Sequence, residues 1–248
     1  MSGHSKWATI RRKKGALDAK RGKLFTMLIK EIQVAARNGG GDEVSNPRLR
    51  SAITTARAAN MPNDNIKKAI QRGTGELPGV TYEEITYEGY GPSGVAILIE
   101  CMTDNKQRTV SDIRHAFSKY NGSLAETGAV SWMFDTKGMF SIDSSVMDED
   151  SMMEHVLESG ADDMQVEDAA YEVTCSQKAF HEVQAYFNKK GIKYESSEIA
   201  KVPQSMVKVE GKDAKTLMKL MEAIEEFDDV QKVWANFDID TELMEQEA

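Results

Sequence analysis

Residues 85–105 read ITYEGYGPSGVAILIECMTDN, and this stretch decides the fold class. Two runs rich in β-branched and aromatic residues flank a glycine-rich turn, a pattern typical of a β-hairpin. The turn GYGPSG also matches the GxGxxG signature of dinucleotide-binding sites. That signature binds phosphate where it opens a helix, whereas here it leads directly into VAILIE. The stretch therefore predicts a hairpin, the first part of an α+β domain.

Upstream of the hairpin, the apolar residues repeat with a helical period. This period predicts a helix over residues 17–37. Cap and turn signals at 46–47 and at 61–64 start two more helices. Because short loops join the three helices, residues 1–76 are expected to form a small bundle.

Downstream of the hairpin, predicted strands and helices alternate. A helix over 107–120 and a strand near 130–134 leave the sheet of the second domain incomplete. Residues 137–203 then follow the order strand, helix, strand, strand, helix, strand, which is typical of a ferredoxin-like domain. A last strand, helix and strand within 204–238 could complete the interrupted sheet.

The predicted architecture is therefore an α+β multidomain chain. An N-terminal three-helix domain, residues 1–76, is followed by two α/β domains. The first of these is discontinuous, with residues 80–136 plus 204–238. The third domain, residues 137–203, is ferredoxin-like (βαββαβ) and inserted in the second. Residues 239–248 are acidic without a strong apolar pattern and are predicted to form a frayed tail.

Charge is distributed unevenly along the chain, whose formal net charge is -9. Residues 1–75 contain 16 Lys and Arg against 5 Asp and Glu, a balance of +11, and the remainder carries -20. An anionic polymer would be attracted to one end and repelled by the other. The acidic whole-chain pI of about 5.1 therefore does not exclude nucleic-acid binding.

The first segment of the chain is strongly basic. Eight Lys or Arg lie between Lys6 and Lys23, with Asp18 as the sole acid, and no periodic apolar face accompanies them. Such a segment predicts an arm that contacts phosphates. His4, Ser5 and Trp7 could add base-edge hydrogen bonds or stacking on an unpaired base. Alternatively, Trp7 packs on the bundle core and the charges form a solvated face.

Three basic residues, Lys23, Lys30 and Arg37, recur every seven positions on the first helix. This spacing places them in one row roughly opposite the apolar stripe. The row is therefore predicted to extend the nucleic-acid surface along the outer face of the helix.

Composition and motifs exclude several classes of protein. The chain is 40% hydrophobic and 29% charged, as in a soluble globular protein, and its apolar runs are far shorter than the ~20 residues of a membrane span. With no signal peptide in the sequence, the protein is expected to be cytoplasmic and to have no membrane partner. Two cysteines without CxxC spacing predict neither a metal site nor a disulfide framework, and no cofactor is expected.

A polar cluster lies at a strand end and helix start, comprising Glu100, Asp104, Asn105 and Arg108. Such a cluster could bind a ligand or a metal, although these residues more often cap the helix and pair with one another. No GxSxG, HExxH or P-loop motif accompanies it. The protein is therefore not expected to be an enzyme.

Five segments resemble the YebC/PmpR family and together span essentially the whole chain. They are GHSKWATIRRKKGALDAKRGKLFTMLIKEI, NPRLRSAI, NMPNDNIKKAI, YEGYGPSGVAILIE and TDNKQRTVSDIRHAFSK. The resemblance implies three domains, a helical bundle and two α/β domains, one inserted in the other. Bacterial members of the family are described as probable DNA-binding transcriptional regulators. A mitochondrial relative activates translation, and bacterial relatives are linked to relief of ribosome stalling.

The resemblance implies two functions that use the same basic surface. The first is a cytoplasmic DNA-binding transcriptional regulator that binds promoter DNA. The alternative is a ribosome-associated translation factor that binds ribosomal RNA and relieves stalling. The positions that match the family's basic surface are His4, Ser5, Lys6, Trp7, Arg11, Arg12, Lys13, Lys14, Lys20 and Arg21.

Overall fold

The computed structural model describes residues 17–167, 170–240 and 244, with the backbone alone for 17–21 and 167. The α-helices are α1 (Leu17–Gly39), α2 (Pro47–Ala58), α3 (Asn63–Thr74), α4 (Lys106–Lys119), α5 (Glu149–Ser159), α6 (Phe180–Lys190) and α7 (Gly211–Glu225). The strands are β1 (Glu83–Tyr90), β2 (Ala96–Thr103), β3 (Ser123–Ala125), β4 (Phe134–Asp143), β5 (Asp163–Glu167), β6 (Ala170–Ser176), β7 (Ser196–Pro203), β8 (Val207–Lys208), β9 (Val230–Ala235) and β10 (Phe237–Asp238). None of the helices in these ranges combines the length and the apolar character that crossing a membrane requires.

The helical bundle is built by α1, α2 and α3 around one apolar core. Ile32, Leu49 and Ile53 are fully buried there. Asn46 caps α2 by accepting the Leu49 N–H at 3.1 Å, while its amide donates to the Ala35 carbonyl of α1 at 2.8 Å. The cap therefore also ties α2 to α1.

Helices α1 and α3 approach closely at Gly73. A Cβ at this position would lie 2.5 Å from the Gln33 carbonyl oxygen, which is closer than real Cβ contacts come. A glycine is therefore required where the two backbones meet.

The second domain contains a four-stranded sheet in the order β3-β1-β2-β9. Strands β1 and β2 are antiparallel, from Glu83 opposite Thr103 to Tyr90 opposite Ala96, and a short 3-10 turn at Pro92–Gly94 joins them. Gly94 has φ +76°, a left-handed conformation that favours glycine. The predicted hairpin is thus confirmed. Helices α4 and α7 share a core with this sheet.

The third domain contains a second sheet in the order β5-β6-β4-β7, with every neighbouring pair antiparallel. Helices α5 and α6 share its core, in which Phe140 stacks on Phe180 and meets Phe187 edge to face. This strand order is that of the ferredoxin-like fold. The chain leaves the first sheet after β3 and returns at β9, so the third domain is inserted in the second. The predicted α+β fold class, with a three-helix domain followed by two α/β domains, is confirmed.

Two local predictions in the second domain are wrong. Residues 131–133 form a 3-10 helix instead of a strand, and β4 begins only at Phe134. The reason is Glu88, whose buried carboxylate accepts the N–H groups of the preceding loop. Strand β8 also differs, because it pairs in parallel with β10 and not with the main sheet.

The frayed tail predicted for residues 239–248 is wrong where the structure describes it. Ile239 and Met244 are buried, at 3% and 0% exposure, in the core beneath α4 and α7. The acidic residues around them obscure this apolar pair in the sequence. The other tail residues, apart from Asp240, lie outside the described ranges.

Candidate nucleic-acid interface

The predicted basic arm lies at the N-terminal boundary of the described residues. Lys20 and Arg21 belong to α1, but their side chains are not described. The remaining predicted residues of the arm lie outside the described ranges: His4, Ser5, Lys6, Trp7, Arg11, Arg12, Lys13 and Lys14.

The row Lys23, Lys30 and Arg37 is not the exposed face that the spacing predicted. Lys30 is only 5% exposed, and its Nζ donates to the Asp229 carboxylate at 2.8 Å. Lys23 donates to the carbonyls of Glu225 and Phe227. Arg37 alone of the three is exposed. The second domain covers this side of α1. Periodicity within one helix does not reveal what covers each of its faces.

The half-buried Lys23 and the buried Lys30 both bind the carbonyl-rich segment at the end of α7. The last carbonyls of a helix have no partner within it and carry the negative end of its dipole. Lys23 binds there, and Lys30 donates to the Asp228 carbonyl at 2.8 Å and the Met102 carbonyl at 3.2 Å. The two lysines therefore attach the bundle to the second domain.

Asp229 is the centre of this attachment. Besides Lys30, its carboxylate accepts Arg108 at 2.6 Å, Thr109 at 2.9 Å and Thr103 at 3.1 Å. Burial by itself would raise the pKa of this carboxyl, but the hydrogen bonds from Arg108, Lys30 and Thr109 outweigh burial and lower the pKa to about 2. Asp229 is therefore held ionised between two cations.

This carboxylate should make stability depend on acid pH. A fall of the pKa from 3.8 when unfolded to about 2 when folded contributes about 2 to 3 kcal/mol. The contribution is present above pH 4 and is lost as the pH falls to 2, because only the unfolded state then takes up the proton. The free energy of unfolding in urea should be measured for the native protein and for Asp229→Asn. The difference between the two should be smaller at pH 2 than at pH 5 by about 2 to 3 kcal/mol. A difference that does not change with pH would contradict this assignment.

The structure brings three of the four predicted polar-cluster residues together. Arg108 bridges Asp104, at 2.8 Å, and Asp229, while Asn105 caps α4 by accepting the Arg108 N–H at 3.1 Å. Glu100 lies apart, on β2 between Thr86 and Lys232 of the neighbouring strands. Sequence reasoning missed Asp229, because it is 121 residues from Arg108.

The cleft beside this cluster is acidic. Among the described residues, five carboxylates and two cations, Lys30 and Arg108, line it, and both cations are already in ion pairs. A phosphate would therefore be repelled from the cleft. The carboxylates are Asp104, Asp112, Glu226, Asp228 and Asp229.

A basic surface is nevertheless present on the described part of the bundle. Arg48 and Arg57 are in ion pairs with Glu31, Glu84 and Glu43, and Arg50 donates to backbone carbonyls. Four other cations are exposed. They are Arg37 on α1 and Lys67, Lys68 and Arg72 on α3. On α3, Lys68 and Arg72 are one turn apart and point in similar directions.

Two family descriptions match the chain and together cover most of it. The TACO1/YebC protein N-terminal domain matches residues 5–76, and the TACO1/YebC second and third domain matches residues 82–237.

Curated relatives match along their whole length. A probable transcriptional regulatory protein of Geobacter sulfurreducens is 58% identical over 99% of both chains. Proteins with the same description from Koribacter versatilis and Dictyoglomus turgidum are 56% identical over 100% and 54% identical over 99% of both chains.

A solved structure has the same fold. The crystal structure of a conserved hypothetical protein from Aquifex aeolicus matches with a TM-score of 0.82 at 43% identity, covering 90% of this chain and 92% of that one. The resemblance drawn from the sequence motifs is confirmed, and the chain belongs to the TACO1/YebC family.

Proposed function

We propose that the protein is a DNA-binding transcriptional regulator that binds promoter DNA through its basic N-terminal segment and the exposed cations of the bundle. The observation that carries the proposal is the charge asymmetry, +11 over residues 1–75 against -20 over the rest. Curated relatives of nearly equal length bear the description probable transcriptional regulatory protein. A regulator that acts by binding promoter DNA needs positive charge against the phosphates, and this end of the chain supplies that charge.

The basic residues divide into two groups with different roles. Lys23 and Lys30 hold the bundle against the second domain and are not available to phosphate. Residues 4–21 and the exposed cations of α3 contact the DNA backbone, which releases counterions and gives salt-sensitive binding. His4, Ser5 and Trp7 supply contacts to bases.

The polar cluster supports a role without catalysis. Arg108, Lys30 and both threonine hydroxyls direct their hydrogen bonds to Asp229. These groups satisfy one another and attach two domains, which is a structural role.

Replacing Arg11, Arg12, Lys13 and Lys14 with alanine should weaken DNA binding at least about 30-fold, because four phosphate contacts and their released counterions are lost. The measurement is fluorescence anisotropy with a labelled promoter fragment over a series of salt concentrations. The slope of the logarithm of affinity against the logarithm of salt concentration should fall by about 3 to 4, at roughly 0.9 per contact.

A charge-matched control separates a local contact from the effect of net charge. It removes four exposed lysines of the second and third domains and should leave affinity within about threefold. If both variants bind equally, the proposal is wrong. RNA of the same length, single-stranded or A-form, is then tested as a competitor. If it displaces the labelled DNA at a concentration tenfold lower than unlabelled DNA requires, the surface binds RNA instead. The control substitutions are Lys178→Ala, Lys189→Ala, Lys193→Ala and Lys212→Ala.

A further inference from the structure

One flank of α5 carries apolar side chains that are exposed in the structure. Leu157 is 72% exposed and Met153, one turn before it, 37%. Val166, on the neighbouring strand β5, is 51% exposed. Residues spaced by four on a helix share a face, so Met153 and Leu157 form a row. Large apolar side chains that lie together in water often mark a site where another molecule binds.

The contacts of α5 fix the direction in which this row points. Met152 and Val156 are buried in the core of the third domain. His155 meets Tyr186 of α6, with 2.9 Å between Nδ1 and Oη. The 100° step between helical residues then places Met153 and Leu157 on the flank away from α6. That flank lies on the side of β5, one of the two edge strands of the sheet.

Val146 and Val166 continue the row at the N-terminal end of α5. Val166 shares a face of β5 with the buried Met164 and pairs with Tyr171 of β6. The Tyr171 hydroxyl donates to the Met147 carbonyl, just before α5, at 3.0 Å. We infer that these positions bring the four exposed residues onto one side of the third domain, here named the apolar flank: Val146, Met153, Leu157 and Val166.

The surroundings of the apolar flank select the kind of partner. Residues 143–176 contain 11 Asp and Glu and neither Lys nor Arg. Nucleic acid is repelled by this charge, whereas a cationic protein segment is attracted. Negative charge alone would attract any cationic segment. To cover the apolar flank, the partner must also present apolar side chains between its cations.

Backbone pairing to the edge of β5 would find at least one donor already used. Adding a strand to a sheet edge requires free backbone donors. The Met164 N–H already donates to the Asp163 carboxylate at 2.9 Å. A helix resting along α5 needs no such donor and matches a row spaced by one turn.

We propose that the apolar flank is the docking site for an amphipathic helix of a partner protein, with one apolar stripe bordered by Lys and Arg. The flank buries the stripe, and the carboxylates on α5 and β5 pair with the border. This surface belongs to the third domain and not to the basic bundle, so a cationic protein and nucleic acid would bind to different domains.

The test measures binding of an 18-residue helical peptide of Leu and Lys, arranged as one leucine stripe, to the full-length protein. The informative variant is Leu157→Asp, because it removes apolar surface and adds negative charge at once. Docking on the flank predicts at least about tenfold weaker binding, whereas attraction by charge alone predicts equal or tighter binding. Isothermal titration calorimetry gives the affinity, and methyl NMR shifts of Met153 and Leu157 locate the peptide.

Two controls decide between the occupants. Val44→Asp alters a valine of the bundle that is 82% exposed and should leave affinity unchanged. A peptide of the same composition with a scrambled stripe should bind at least tenfold more weakly. Equal binding of the scrambled peptide, or of Leu157→Asp, overturns the proposal. So does a peptide-free dimer in sedimentation that Leu157→Asp dissociates, since a second copy would then occupy the flank.

Discussion

Replacing Asp229 with alanine is expected to lower the free energy of unfolding by about 3 to 5 kcal/mol, the usual cost of removing one partner from a buried ion pair. Lys30 stays buried at 5% exposure and loses the one carboxylate partner that the described residues give it. Thr103 and Thr109 lose the acceptor that they share. The loss should fall on the contact between bundle and second domain, because Lys30 comes from one and Asp229 from the other.

Urea unfolding monitored by circular dichroism gives the free energy, and hydrogen exchange locates the loss. Amides of α1 that face the second domain should exchange faster in Asp229→Ala, while those of the third domain should not change. Asp228→Ala is the matched control. Asp228 is exposed and contributes only its backbone carbonyl to Lys30, which alanine retains. Equal destabilisation by both substitutions would contradict the role assigned to the Asp229 carboxylate.

The second large effect is expected at Glu88, which is 3% exposed on β1. Its carboxylate accepts the backbone N–H groups of Gly128, Val130 and Ser131 at 2.7 to 2.9 Å. Burial by itself raises the pKa of this carboxyl, but the three donors outweigh burial and leave the pKa below its ordinary value. Glu88→Ala leaves three donors without their acceptor and should cost about 3 to 4 kcal/mol.

Trp132 offers a local reporter for this loop. Its indole Nε1 donates to the Ala129 carbonyl at 3.0 Å, so its fluorescence should report release of residues 128–131. Glu126→Ala is the control, since it removes an exposed carboxylate next to the same loop and should change stability by less than about 0.5 kcal/mol. If Glu88→Ala and Glu126→Ala have the same stability, the loop is not held by Glu88.

The order of helices and strands was predictable because each element has its own periodicity. The stripe Leu28, Ile32 and Ala35 recurs at helical spacing, and the hairpin around Gly94 carries a turn residue suited to its backbone. These signals are local, and they were sufficient for the fold class. The insertion followed from counting strands, since the second domain needed one more than its first segment supplied.

Contacts between distant residues were not predictable in the same way. Periodicity places Lys23, Lys30 and Arg37 on one face of α1, but it does not say whether water or another domain lies against that face. Asp229, the partner of Lys30, is 199 residues away in the sequence. A buried lysine and a lysine that binds phosphate have the same sequence signal, and only the fold distinguishes them.

The composition of a segment also misled where a few residues determine its packing. Ile239 and Met244 lie among acidic residues, so the average hydropathy of the tail concealed two core side chains. Likewise, the run before Phe134 has strand-forming residues but is drawn into a 3-10 turn by Glu88 of another strand. In both cases a long-range contact overrides the local preference.

The long interval between Lys30 and Asp229 has a consequence for synthesis of the chain. At about 5 to 20 residues per second, Asp229 is added roughly 10 to 40 s after Lys30. The same delay applies to β9, without which β2 has an open edge. The newly made bundle and the first three strands of the sheet therefore lack the Asp229 contact while the entire inserted domain is translated. During translation the nascent chain lacks the Asp229 partner of Lys30 and leaves the edge of β2 open, and both are supplied only by the last 20 residues.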